Sequence, residues 1–166
     1  MTDTCNHRRT NPDVTIIMGS LSDRKVGERA VKIFEELGVT YQWRVASAHR
    51  TPELVEEIMR TCGSKVFIGI AGMAAHLPGV MASHTTRPII AVPVSASFVG
   101  LDALLAAVQM PPGIPVATVT VDRGDNAALL AAEILALSDS GLADRLTAHR
   151  EAMKVKVHSH DDELAP

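Results

Sequence analysis

Residues 14–38 read VTIIMGSLSDRKVGERAVKIFEELG, and this stretch decides the fold. Its first five residues, VTIIM, carry β-branched and apolar side chains without a charge, the pattern of a strand buried on both faces. Gly19-Ser20-Leu21-Ser22-Asp23 interrupts the run, and Val26, Ala30, Ile33, Phe34 and Leu37 then recur at helical spacing. Gly38 follows as the residue best able to take the left-handed conformation that ends a helix. The stretch is therefore one complete βα unit.

Outward from it the same unit repeats. A second strand lies within 39–46, followed by Ser47-Ala48-His49-Arg50-Thr51-Pro52. Thr51 as N-cap and Pro52 at the first helical position open a helix with Leu54, Val55, Ile58, Met59 and Cys62 on its inward face. Further strands are expected at 65–70, 88–92 and about 116–121. A helix near 101–109 follows the fourth, and Asp125 is expected to cap another that runs to about Leu137. Five β-then-α units in series require a parallel sheet covered on both faces, a flavodoxin-like three-layer α/β sandwich. The expected division is a polar tail at 1–13, one α/β domain at 14–157 ending in a helix from 140, and a polar tail at 158–166. The segment 126–137, NAALLAAEILAL, is apolar almost all round, and 103–108 is similar; such helices are buried on more than one side. A homo-oligomer that packs them between subunits is expected.

Composition narrows the function. With 16 Lys and Arg against 19 Asp and Glu, the net charge of −3 offers no basic footprint for nucleic acid or anionic lipid. Aromatics at 3% provide no base-stacking platform. The polar start lacks the apolar core of a signal peptide, and no apolar run is long enough to span a membrane. Cys5 and Cys62 form neither a disulfide framework nor a metal-ligand spacing, so a reducing, cytoplasmic setting is expected.

In an open parallel sheet, ligands bind beyond the carboxyl ends of the strands. Three loops of unusual composition fall there: 19–23, 47–50 and 71–79. They bring Ser20, Ser22, Asp23, Ser47, His49, Arg50 and His76 to a glycine-containing backbone. Serine hydroxyls with free N–H groups at a helix start suit an anion, while Asp23 suits sugar hydroxyls or capping. Arg50 can clamp a phosphate, and His49 can give and take a proton near neutral pH. Small residues in AGMAAHLPG let backbone amides approach a flat ligand, with His76 beside it. A serine-rich helix cap, a surface ion pair and a tight turn are the plainer readings of the three loops taken singly. His84, His149 and the tail His158-Ser159-His160-Asp161-Asp162 read as solvated or capping groups.

GSLSD (19–23), SAHRTP (47–52), AGMAAHLPG (71–79), VQMPPGIPVATV (108–119) and NAALLAAEIL (126–135) together resemble the family of N5-carboxyaminoimidazole ribonucleotide mutases and aminoimidazole ribonucleotide carboxylases of purine biosynthesis. The resemblance implies conversion of N5-carboxyaminoimidazole ribonucleotide to 4-carboxy-5-aminoimidazole ribonucleotide by loss and recapture of carbon dioxide. It also implies an octamer with sites at subunit boundaries, and no metal, biotin or nucleotide cofactor. It places the catalytic histidine on His49. Substrate contacts fall on Ser20, Ser22 and Asp23, on Ser47 and Arg50, and on Gly72, Ala75, His76 and Leu77. SAHRTP and His76 follow the mutase branch. Met73 stands where a glycine is usual, and Phe98 and the short segment 120–132 lie nearer the branch that carboxylates directly with carbon dioxide. Direct carboxylation, a binding module without turnover, and an enzyme for another heteroaromatic nucleotide remain alternatives.

The residues suit a carbon dioxide transfer in a closed pocket. Ala74, Ala75 and Leu77 are expected to wall it, and His49 to move one proton between nitrogen and C4.

Overall fold

The computed structural model describes residues 11–164, so Cys5 and the first ten residues lie outside it, as do the last two. The five expected strands form β1 (Val14–Met18), β2 (Tyr41–Val45), β3 (Val66–Gly72), β4 (Ile89–Val94) and β5 (Ala117–Thr118). The helices are α1 (Arg24–Leu37), α2 (Pro52–Thr61), α3 (Leu77–Ser83), α4 (Leu101–Val108), α5 (Gly124–Ala136) and α6 (Ser140–Asp162). All strand pairs are parallel, in the order β2-β1-β3-β4-β5. This is the doubly wound, flavodoxin-like arrangement, with the topological switch between β1 and β3.

The two-residue period of the strands sorts the core into two layers. Val14, Ile16, Met18, Val66, Ile68, Ile70, Ile90 and Val92 face one way, onto α1, α5 and the start of α6. Ile17, Phe67, Ala71 and Ile89 face the other, onto α2, α3 and α4. Buried polar side chains between β1, β2 and the end of α2 satisfy one another. Thr15 Oγ1 lies 2.7 Å from Ser64 Oγ and accepts from Gln42 Nε2 at 3.0 Å, and Cys62 Sγ lies within 3.0 Å of both Thr15 and Gln42. Gly38 takes φ 65° and its N–H bonds back to the carbonyls of α1, the expected helix stop.

Four expectations change. Asp125 does not cap α5; Arg123 holds that position, and Asp125 lies in the first turn, where its carboxylate pairs with Arg123 at 2.7 Å. Strand β5 is Ala117–Thr118 only, shorter than 116–121. The chain beyond it stays beside β4 through Val119 N–H to Ala91 O (3.0 Å) and Asp122 N–H to Pro93 O (2.9 Å). The last helix does not end at 157; α6 continues to Asp162, so most of the described part of the expected tail is helical. Asp139 caps it by accepting from the Leu142 N–H at 3.0 Å. Finally, α5 is largely covered within the chain, with Leu129, Leu130 and Ile134 partly buried. Its alanine-rich faces pack on α1, on β3 and β4, and on α6 within the chain. Gly124 permits this closeness, since a Cβ there would sit 2.0 Å from the Val26 carbonyl oxygen of α1.

Candidate active site

The loops after β1, β2 and β3 converge at the carboxyl edge of the sheet, over the switch point. The first is fixed by a capping box. Ser20 Oγ accepts from the Ser22 N–H (3.3 Å), while Asp23 Oδ2 accepts from the Ser20 N–H (3.2 Å). Asp23 Oδ1 takes the Ser22 hydroxyl at 3.3 Å, so both carboxylate oxygens are engaged locally. Burial pushes the Asp23 carboxyl above its usual range, against the opposing pull of the Ser22 hydroxyl, the Ser20 N–H and the Arg50 charge.

The second loop is a tight turn. Ala46 N–H continues the pairing onto Met18 O at 3.0 Å, and Thr51 N–H then closes back on Ser47 O at 2.9 Å. Thr51 holds the N-cap position of α2, but its hydroxyl serves the turn, accepting from the Ser47 N–H at 2.9 Å. Ser47 Oγ accepts from the Arg50 N–H (3.2 Å) and from Arg50 Nε (3.3 Å). This geometry turns His49 and Arg50 outward; both are exposed.

Two side-chain bridges join the three loops. Arg50 Nη2 donates to Gly19 O at 2.9 Å, tying the second loop to the first. His49 Nε2 lies 2.9 Å from His76 Nδ1, tying the second to the third, with the rings edge-on and centroids 5.0 Å apart. One hydrogen occupies the line between these nitrogens, so one ring donates and the other accepts. The pair is thus built to hold and pass a proton.

In the third loop, Gly72 is pressed against the neighbouring loop; a Cβ there would lie 3.1 Å from Val94 O and 3.2 Å from Ala96 Cβ. Ala75 and Leu77 turn their side chains into the core under α3, leaving only their backbone toward the edge. Ala74, Met73 and His76 are exposed. The apolar surface that this loop offers a ligand is therefore Met73 and Ala74, and not the expected Ala75 and Leu77. Met73 sits at φ 54°, in the left-handed region.

A fourth loop, after β4, reaches the same edge and is absent from the expected site. Ser95 N–H donates to Asp122 Oδ1 at 2.9 Å, and the Ser97 hydroxyl bonds Asp102 Oδ2. Phe98 and Val99 both take positive φ and stand 80% and 90% exposed. The signal that points to this loop is its place, at the end of the fourth strand of a doubly wound series. Among the described residues no group of three or more His, Cys, Asp or Glu could hold a metal ion, and no helix is long and apolar enough to cross a membrane.

Comparison with known proteins bears on the family and the fold. The profile of the AIR carboxylase family matches residues 13–156. An N5-carboxyaminoimidazole ribonucleotide mutase of Methanocaldococcus jannaschii is 63% identical over 91% of this chain and 96% of its own length. That of Bacillus subtilis is 48% identical over 92% of this chain and 98% of its own. The crystal structure of Treponema denticola PurE superposes with a TM-score of 0.84 at 34% identity, covering 92% of this chain and 98% of that one. With its fold and most of its length matched, the chain belongs to the AIR carboxylase family.

Proposed function

We propose that this protein is an N5-carboxyaminoimidazole ribonucleotide mutase, an isomerase of purine biosynthesis that yields 4-carboxy-5-aminoimidazole ribonucleotide. The observation that carries the chemistry is the His49–His76 pair at the open edge of the sheet. The similarity to curated mutases at up to 63% identity supports the substrate.

Ser47 and Arg50 bind the phosphate, with the guanidinium already aimed by its bonds to Ser47 and Gly19. Ser20, Ser22 and Asp23 bind the sugar. The backbone of Gly72, Ala75 and Leu77 lies against the ring, with His76 beside it. Binding energy from these remote groups holds the imidazole where its own carbon dioxide can be recaptured. His49 is the catalytic residue. It protonates the nitrogen that loses carbon dioxide and takes the proton from C4 after the new bond forms, and its contact with His76 couples the tautomers of the two rings. A free buried Cys62 agrees with a cytoplasmic, reducing setting.

The same reading makes the protein a homo-oligomer, with an octamer as the family's expected form. Support comes from α4, whose Leu101, Leu105 and Val108 share one face and are each about half exposed.

The test follows imidazole carboxylation by absorbance with two substrates, the carbamate and aminoimidazole ribonucleotide with bicarbonate. Fast turnover of the carbamate and little of the other at low bicarbonate is expected; the reverse preference would make the protein a direct carboxylase. His49→Asn should still bind nucleotide while losing turnover by at least about a hundredfold, the usual scale for removing a general acid–base group. Near-normal turnover in that variant would remove His49 from the chemistry.

A further inference from the structure

We infer that Met73 is a specificity-determining residue of this site. Its side chain supplies the apolar wall that keeps released carbon dioxide beside its acceptor carbon and out of exchange with solvent. The inference rests on the mutase reading above.

The backbone gives the first reason. Met73 holds φ 54°, a conformation that glycine takes freely and an L side chain does not. The backbone is held on both sides of it. Gly72 on one side is packed against Val94 O and Ala96 Cβ, and on the other the Ala75 N–H donates to Met73 O at 2.8 Å. A residue in this region persists only where the surrounding structure holds it there, and such positions cluster at ligand sites.

The second reason is what the side chain does in the chain alone. It is 63% exposed, so core packing is not its purpose. It stands three residues before His76, whose ring bonds His49. Ala75 and Leu77 are turned into the core, so Met73 is the one long apolar side chain that this loop presents at the edge.

The third reason is chemical. In the transfer, the carbamate C–N bond breaks with its electron pair left on the exocyclic nitrogen, which takes a proton. C4 then attacks the carbon of carbon dioxide and gives up its own proton, so the reaction is a net isomerisation with no oxidant or reductant. Between those events carbon dioxide is a free, small, apolar molecule. A flexible thioether side chain can close over such a molecule and over the ring plane in a way that a glycine at this position cannot.

The experiment supplies unlabelled carbamate substrate in buffer containing carbon-13 bicarbonate and carbon dioxide, and weighs the product. Wild type should return product carrying the substrate's own carbon. Met73→Gly should raise the labelled fraction about tenfold, the scale set by losing an apolar group from a pocket, and should lower kcat. Its melting temperature should not fall, because glycine accepts this φ without strain. Met73→Leu, which restores apolar bulk, should return the labelled fraction toward wild type. Equal labelling in wild type and Met73→Gly would overturn the inference, as would Met73→Leu leaking as much as the glycine variant. A wild-type protein that fails to turn over the carbamate would overturn the mutase reading itself, and this inference with it.

Discussion

His49 and His76 stand 27 positions apart in sequence, yet their nitrogens meet at 2.9 Å. Each histidine is recognisable from its own loop, SAHR or AAHL, because each follows a strand and precedes a helix. Their contact is not recognisable, since it depends on β1 and β3 being neighbours while β2 sits outside them. Asp23 carries a pH dependence of known sign. Burial holds its carboxyl above the ordinary value of 3.8, so the folded protein keeps this proton more tightly than the unfolded chain. Stability must then fall as pH rises from the unfolded value through the folded one, with the full penalty present above it. Asp23→Asn should flatten that slope, read as urea midpoints from about pH 4 to about pH 6, the region next to an ordinary carboxyl. A slope unchanged by the substitution would mean that Asp23 does not titrate there. Asp13 and Asp125 act oppositely. Burial raises them too, but hydrogen bonds from Thr40 and Lys65 and from Arg123 outweigh it, so their contribution is lost as pH falls below the ordinary range.

The helices show which local rules suffice. The inward faces of α1 and α2 follow from apolar spacing alone, and Val26, Ala30, Phe34, Val55, Ile58 and Met59 are all buried. Thr51 holds the N-cap position of α2 as expected, whereas Asp125 does not cap α5. Thr51 and Asp125 have the right residue types, but a nearby turn and a nearby arginine compete for their side chains. Arg87, which no motif marks, ends α2. Its guanidinium donates to Met59 O (2.9 Å), Cys62 O (2.7 Å) and Ser64 O (2.8 Å), and stacks over Phe67 at 4.7 Å. These carbonyls have few other partners at a helix end. Arg87→Lys keeps the charge but loses the planar fork, and should destabilise the protein by about 2 kcal/mol. Chemical denaturation checks this, and a change under about 0.5 kcal/mol, the level of an ordinary surface substitution, would show that lysine serves equally well. Length misled in α6, where polar residues beyond 157 read as a tail. Arg145 to Leu37 O (2.8 Å) and His149 to Glu36 (2.7 Å) anchor the helix early, and it propagates to Asp162 with its distal half exposed.

Among the described residues, α4 and the loop before it carry one cluster of exposed apolar side chains, Phe98, Val99, Leu101, Leu105 and Val108, beside others on the distal part of α6. Leu105→Glu places a charge at the centre of the α4 face formed by Leu101, Leu105 and Val108. It should convert an assembled protein to smaller species in sedimentation or size-exclusion experiments. An unchanged mass would move the subunit contact elsewhere. The order of βα units, the polar loops at their carboxyl ends and the identities of His49, Arg50 and His76 were determined by the sequence itself, because period, glycine stops and side-chain chemistry are local properties. The tertiary structure alone decided the rest: that α5 is largely covered within the chain, that Ala75 and Leu77 face inward while Met73 faces out, and that a fourth loop reaches the site. Those outcomes depend on which elements become neighbours and on how closely backbones approach, as Gly124 and Gly72 allow, and no single segment encodes that by itself.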